Sequence, residues 1–312
     1  MQIRWLTFGA DVNPFVRYNP FRPLIHRYNA WRMDHYLSRE FDNRMTDFQH
    51  TKPTKSVMDL ALTAYLTENV EKNVAGGIDN TFKKFAISQI KLFLFSGHDT
   101  TSSSICYLFY VLSQNLSALK HVRTEHDKIF GPDPTMAASL ITERAYLLNQ
   151  LPYTLAVIKE TLRLYPAVSS TRAGEPGFNV TDDTGRQFPT NGFLVWANPQ
   201  IIQRDPAYWP RADEFIPERW LVPPGDVLHP IKGTWRPFEY GPRNCIGQEL
   251  AMIEMKIVMV MTLRTFDIQP AYEEVDGHRQ NRKIRTVYGD RGYQIQRAQP
   301  SEDLPCRIAK VG

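Results

Sequence analysis

Between residues 167 and 242 prolines recur at short intervals: Pro176, Pro189, Pro199, Pro206, Pro210, Pro217, Pro223, Pro224, Pro230, Pro237 and Pro242. Each removes a backbone donor and fixes φ, so neither a long helix nor a central sheet strand can run through this stretch. It has to be irregular chain with short strands. Phe178-Asn179-Val180 and Phe193-Leu194-Val195-Trp196 are the strand-like pieces, and Asp183-Thr184-Gly185 and Asn191-Gly192 are the turn signals beside them.

The flanking chain has the opposite character. Residues 20–130 carry long apolar-periodic runs with few breakers and read as helix. Within them, 80–114 is one long helix, roughly 50 Å at 1.5 Å per residue. Pro152 opens a helix that has to end before Pro166. Helix returns after Cys245, and 284–295 reads as a hairpin. No linker composition separates these parts, so the expectation is one mixed domain, mainly α with small β-sheets, over all 312 residues. An apolar content of 42% permits a sizeable core. The net charge of +4 comes without a Lys/Arg block, so nucleic acid is not an expected partner. No apolar run reaches signal-peptide or membrane-spanning length. Cys106, Cys245 and Cys306 match no zinc spacing, and their odd number points to a reducing compartment.

Cys245 lies in Trp235-Arg236-Pro237-Phe238-Glu239-Tyr240-Gly241-Pro242-Arg243-Asn244-Cys245-Ile246-Gly247, directly before an apolar-periodic run. Ile246, Leu250, Ile253, Ile257 and Met261 fall on one helix face. The thiol therefore sits at a helix N-terminal edge, where unpaired N–H groups and the dipole favour a thiolate. Gly241 and Gly247 permit close approach of something flat or bulky. Arg243 is placed to pair with an anion. This combination suits a soft metal centre with acidic substituents; a buried structural cysteine before a helix is the alternative.

Phe238 to Gly247 resembles the F-x-x-G-x-R-x-C-x-G loop of cytochromes P450, a long and specific pattern. The resemblance implies heme b with Cys245 as axial thiolate and metal ligand, Phe238 beside the sulfur, Gly247 closing the loop, and Arg243 on a heme propionate. Glu160-Thr161-Leu162-Arg163 is similar to the family's E-x-x-R. Pro217-Glu218-Arg219-Trp220 is similar to its P-E-R-F, with tryptophan for the usual phenylalanine. The implied triad Glu160, Arg163 and Arg219 is structural. Ser96-Gly97-His98-Asp99-Thr100-Thr101 resembles the family's distal-helix motif, with serine where alanine is commoner. By that resemblance Thr100 hydrogen-bonds bound oxygen and Asp99 delivers protons. Arg172 occupies the place of a second propionate-binding arginine. Phe95, Gly97, Val168, Ser169, Ser170 and the tail near 290–292 are the implied substrate-pocket residues.

Tyr28 to Asp34 resembles the start of the family's helix G, so the expectation is a chain covering a partial P450 domain, from about helix F to the C-terminus and lacking the N-terminal part. The function implied is that of a heme-thiolate monooxygenase. It inserts one oxygen atom from O2 into an apolar small molecule of fungal secondary metabolism, with electrons from NADPH through NADPH-cytochrome P450 reductase. Lys120, Arg123, Lys128, Lys232, Arg236 and Arg243 are the candidate cationic face for the reductase. The family resemblance also implies membrane contact of the full-length protein, on the cytosolic face of the endoplasmic reticulum. The alternatives are a non-catalytic remnant with weak or no heme binding and an enzyme using Cys245 as nucleophile. The nucleophile reading needs a His and carboxylate beside the thiol, and the sequence offers no motif for them.

Overall fold

The computed structural model describes residues 21–48, 56–68, 79–277, 286–288, 290, 292, 300 and 304–311. It divides into two compact units, residues 1–96 and 97–312.

In the first unit, helices α1 (Arg22–Phe48) and α2 (Val57–Glu68) are followed by α3 (Asn80–Gln114), which starts here and ends in the second unit. Ser56 caps α2 by accepting the Asp59 N–H at 3.1 Å, and Asp79 caps α3 by accepting the Thr81 N–H at 3.0 Å. Phe41, Leu62 and Ala86 form a small core, edged by Met45, Met58 and Phe82. Buried Asp59 takes a two-point hydrogen bond from Arg44 at 2.7 and 2.9 Å, which neutralises the carboxylate where water is excluded.

The second unit holds the C-terminal part of α3, then α4 (Leu116–Phe130), α5 (Ala137–Glu143), α6 (Pro152–Leu164), the short α7 (Pro199–Ile202), α8 (Gln248–Thr262) and α9 (Tyr272–Gly277). Its main core is Leu108 and Leu112 of α3, Val122 of α4, Val157, Ile158 and Leu162 of α6, and Met252, Met255 and Met259 of α8. Pro152 does open α6, which stops at Leu164. The residue before it, Leu151, has no side-chain oxygen to cap the helix. Glu125 of α4 supplies one instead, accepting the Tyr153 and Thr154 N–H groups at 2.7 and 2.8 Å.

Among the described residues, three two-stranded antiparallel sheets decorate this helical body. Strand β1 (Ser170–Ala173) pairs with β4 (Leu194–Ala197), with Arg172 opposite Val195. Strands β2 (Asn179–Thr181) and β3 (Gln187–Pro189) form a hairpin. Asp182 organises its turn by accepting from Thr184 and Arg186, and Gly185 takes φ +82° there. Strands β5 (Phe266–Pro270) and β6 (Cys306–Lys310) make the third pair, which the sequence reading did not foresee. The hairpin expected at 284–295 lies largely outside the described residues; the bridge Val287–Asp290 is what is described of it.

The apolar face read from the sequence at helix α8 is largely exposed: Ile246 is 85% and Leu250 71% exposed, Ile253 and Met261 are exposed as well, and Ile257 is partly buried. The methionine face packs inward instead. Both faces are apolar, and long flexible methionines fill the irregular space against α3 and α6.

Candidate functional site

The proline-rich segment is bolted to α6 by a buried charged cluster. Glu160, Arg163 and Arg219 are all fully buried. Arg163 donates to both Glu160 oxygens at 2.8 and 3.0 Å, and Arg219 Nε donates to Oε1 at 3.0 Å. The Ile216 N–H and the Trp220 indole N–H complete the carboxylate at 3.0 Å each. The remaining Arg163 donors reach the carbonyls of Gln203, Ala212 and Glu214 at 2.8, 2.6 and 2.9 Å. Burial pushes the Arg163 guanidinium below its ordinary value, and Glu160 opposes that shift. Trp209 lies beneath both guanidiniums, 5.2 Å from Arg163 Cζ and 5.7 Å from Arg219 Cζ.

The next links lead to the cysteine loop. Fully buried Gln203 donates to the Leu162 and Arg163 carbonyls and accepts the Arg236 N–H at 2.6 Å. Trp235 donates its indole N–H to the Lys159 carbonyl at 3.0 Å. Trp220, Trp235 and Phe238 then stack edgewise at centroid spacings of 5.5 and 6.0 Å. Phe238 also packs on the main core.

From Phe238 the chain turns twice, with Glu239 at φ +62° and Gly241 at φ +91°. The Asn244 N–H bonds the Gly241 carbonyl at 3.1 Å, and the Cys245 N–H closes the loop on the Phe238 carbonyl at 2.9 Å. Cys245 is a free, exposed cysteine. Gly247 is the residue before α8, and a Cβ there would meet Cys245 Sγ at 3.8 Å. Arg243 is exposed and has no side-chain partner among the described residues. Arg172 is exposed on β1, its guanidinium folded back onto the Thr171 carbonyl at 2.9 Å.

The other expected site residues are distributed as follows. Asp99 and Thr100 are half-buried on α3. Ser102 and Ser103 donate back to the Asp99 carbonyl at 3.1 and 2.8 Å, and Ser104 to the Thr100 carbonyl at 2.9 Å, while the helix continues unbroken. Gly97 and Phe95 are exposed on the same helix, Phe95 in its first-unit part. Val168 is exposed and Ser169 half-buried. The Ser170 hydroxyl is engaged, donating to Glu239 at 2.6 Å. Arg123 is not available as part of a cationic face: it is spent on Asp267 at 2.5 Å and the Leu263 carbonyl at 2.7 Å. Sequence reasoning passed over Glu239, Gln203 and Trp235, whose roles depend on partners far away in the chain.

An irregular segment clamped to a helix and leading into a short loop that lifts one thiol to the surface defines a protein built to present that thiol. The comparisons agree with this class. The cytochrome P450 family pattern matches residues 10–296, and the chain belongs to the cytochrome P450 family, which implies a heme-thiolate cofactor. It is 45% identical to cytochrome P450 monooxygenase polC of Polytolypa hystricis over 313 residues, covering 99% of this chain and 56% of that protein. It is 33% identical to cytochrome P450 monooxygenase acrF of Aspergillus aculeatus, covering 96% of this chain and 63% of that protein. A third relative, cytochrome P450 monooxygenase PC-23 of Penicillium crustosum, is 35% identical over 65% of this chain and 98% of its own length. The chain thus spans little more than half the length of polC. No helix among the described residues is long and apolar enough to cross a membrane.

Proposed function

We propose that this chain carries the thiolate-bearing part of a P450 monooxygenase that inserts one oxygen atom from O2 into an apolar small molecule. The observation that carries this reading is the Cys245 loop: an exposed thiol at a helix start, its own N–H tied to Phe238, beside the outward apolar side chains of Ile246 and Leu250. That surface fits a flat apolar macrocycle with an iron centre and acidic edges. Cys245 is the ligand, Phe238 shields the sulfur, Gly247 leaves its surroundings open, and Arg243 and Arg172 take the propionates. Bound heme b supplies the activation of O2. The protein's own part is to present the thiol at the helix edge and to hold the ring. On α3, the Thr100 hydroxyl and Asp99 carboxyl would be the groups that hold and pass protons for that chemistry. The Glu160, Arg163 and Arg219 cluster keeps the loop in place and does no chemistry.

Electrons come from NADPH through NADPH-cytochrome P450 reductase, with Lys232 as an exposed cation near the loop. The likeness to the fungal monooxygenases polC and acrF supports a substrate from secondary metabolism, and attachment of the full-length protein to the cytosolic face of the endoplasmic reticulum belongs to the same proposal. The test is reconstitution with heme, reduction and exposure to carbon monoxide. A thiolate-type Soret band that Cys245→Ser loses supports the reading, and a band unchanged in Cys245→Ser overturns it. With reductase and a turned-over substrate, Thr100→Ala is expected to bind heme normally but divert NADPH electrons into peroxide. Product yield per NADPH equal to the parent removes Thr100 from the proton path.

A further inference from the structure

Glu239 stands inside the cysteine loop with a positive φ that a residue with a side chain adopts at a cost. Its carboxylate is tied down at both oxygens. Oε1 accepts from the Ser170 hydroxyl of β1 at 2.6 Å, and Oε2 accepts from Arg236 Nη2 at 3.1 Å. The side chain is only 18% exposed, while Tyr240, Gly241, Pro242, Arg243, Asn244 and Cys245 after it are all exposed. Among the described residues, Glu239 is the one side chain between Phe238 and Cys245 that is anchored by hydrogen bonds.

Its position in the chain gives the anchor a consequence. Glu239 directly follows Phe238, whose carbonyl receives the Cys245 N–H at 2.9 Å. The φ of Glu239 helps fix where the chain leaves Phe238 and so the path over which that closing bond forms. The two bonds of the carboxylate thus fall at the start of the exposed turn that this closing bond spans. Ser170 lies two residues before Arg172 on β1, so the same contact joins the loop to the strand carrying that arginine. The start of the loop is held separately, by Gln203 on the Arg236 N–H and by Trp235 on Lys159.

We propose that Glu239 is a positioning residue: a carboxylate latch between β1 and the cysteine loop that sets the place of the Cys245 thiol. This rests on the reading of Cys245 as the heme ligand, and the test separates the two claims. Three variants of the full chain are compared with the parent. Glu239→Gly suits the positive φ but removes the latch, Glu239→Gln keeps an acceptor, and Ser170→Ala removes only the strand arm.

The first readout needs no heme: peptide-resolved amide hydrogen exchange across residues 238–245. Glu239→Gly is expected to exchange there roughly tenfold faster with the main core unchanged, Ser170→Ala roughly threefold faster, and Glu239→Gln close to the parent. The second readout is the reduced carbon monoxide spectrum, in which Glu239→Gly loses thiolate-type intensity and Glu239→Gln restores it. Parent-like exchange over 238–245 in both Glu239→Gly and Ser170→Ala overturns the latch. If Glu239→Gly does not fold, Ser170→Ala decides by the same exchange measurement. A parent protein without a thiolate-type band sinks the ligand reading alone, since the exchange rates still decide whether Glu239 holds the loop.

Discussion

Trp220 donates its indole N–H to Glu160 Oε2 at 3.0 Å, so the tryptophan at this position is a fifth donor to a buried carboxylate and not merely a larger aromatic ring. The other four bonds come from Arg163, which donates twice, from Arg219 and from the Ile216 N–H. Five donors hold the Glu160 carboxyl in one place within a fully buried site.

Trp220→Phe keeps the ring and deletes one donor. Hydrogen bonds to charged groups are worth about 1.5–3 kcal/mol net, and the loss here is expected at the low end because Arg163 still serves Oε2. The urea midpoint of the variant should fall accordingly. An unchanged midpoint would show that the indole N–H contributes nothing to holding Glu160.

Arg163→Ala removes far more. It leaves Glu160 with a single charge partner and strips three backbone carbonyls of their donor. Breaking a buried ion pair from one side typically costs about 3–5 kcal/mol, a large part of a domain's total stability of about 5–15 kcal/mol. Heme content per polypeptide should drop although Arg163 touches neither the thiol nor α3. Full heme occupancy and unchanged thermal stability would contradict the structural role assigned to the cluster.

His126 provides a pH-dependent term. It is fully buried, with Nε2 2.9 Å from Thr154 Oγ1, while Nδ1 finds no partner among the described residues. Burial first, and then the Arg264 charge, lower its pKa from near 6.5 to about 3. The unfolded chain therefore takes up a proton that the folded one refuses, and stability is lost as pH falls from about 6.5 toward about 3, by roughly 1.4 kcal/mol per unit for this group. Urea midpoints at about pH 7.5 and about pH 5 should differ more in the parent than in His126→Gln. Equal differences would show that His126 is not the responsible group.

Asp290 ties the tail to two helical segments. It accepts from the Tyr110 hydroxyl of α3, from the Tyr165 hydroxyl at 2.5 Å and from the Gly292 N–H at 2.8 Å. Burial and then Asp290 push Tyr110 up to about 12 and raise Tyr165 as well. A Cβ at Gly292 would lie 2.9 Å from the Tyr110 ring, so a larger residue there would force that ring to shift. Asp290→Ala removes an acceptor from both hydroxyls and is expected to cost about 1–3 kcal/mol. Adding Tyr110→Phe and Tyr165→Phe should recover part of that loss. No recovery in the triple variant would mean that these bonds do not hold the tail.

Local rules carried well into the fold. The long helix at 80–114 and the helix opened by Pro152 were legible because breakers and periodicity act within a few residues. The cluster of Glu160, Arg163 and Arg219 was legible only through motif resemblance, since nothing in the spacing of Arg219 from Glu160 shows that they meet. The β5–β6 pairing was not legible, because its strands are separated by the chain from 271 to 305 and each is short. The orientation of α8 was hidden for another reason: leucine and isoleucine on one face and methionine on the other are both apolar, and packing against α3 and α6 decides which is buried. Glu239 was passed over because its partner Ser170 is 69 residues away and its positive φ leaves no mark on composition.

The central claim is that Cys245 is the iron ligand, and X-ray absorption at the iron edge of the heme-reconstituted chain tests it most directly. The account predicts a sulfur scatterer in the first coordination shell of the parent protein, replaced by oxygen or nitrogen in Cys245→Ser. A first shell containing only nitrogen and oxygen in the parent, or sulfur persisting in Cys245→Ser, would contradict it.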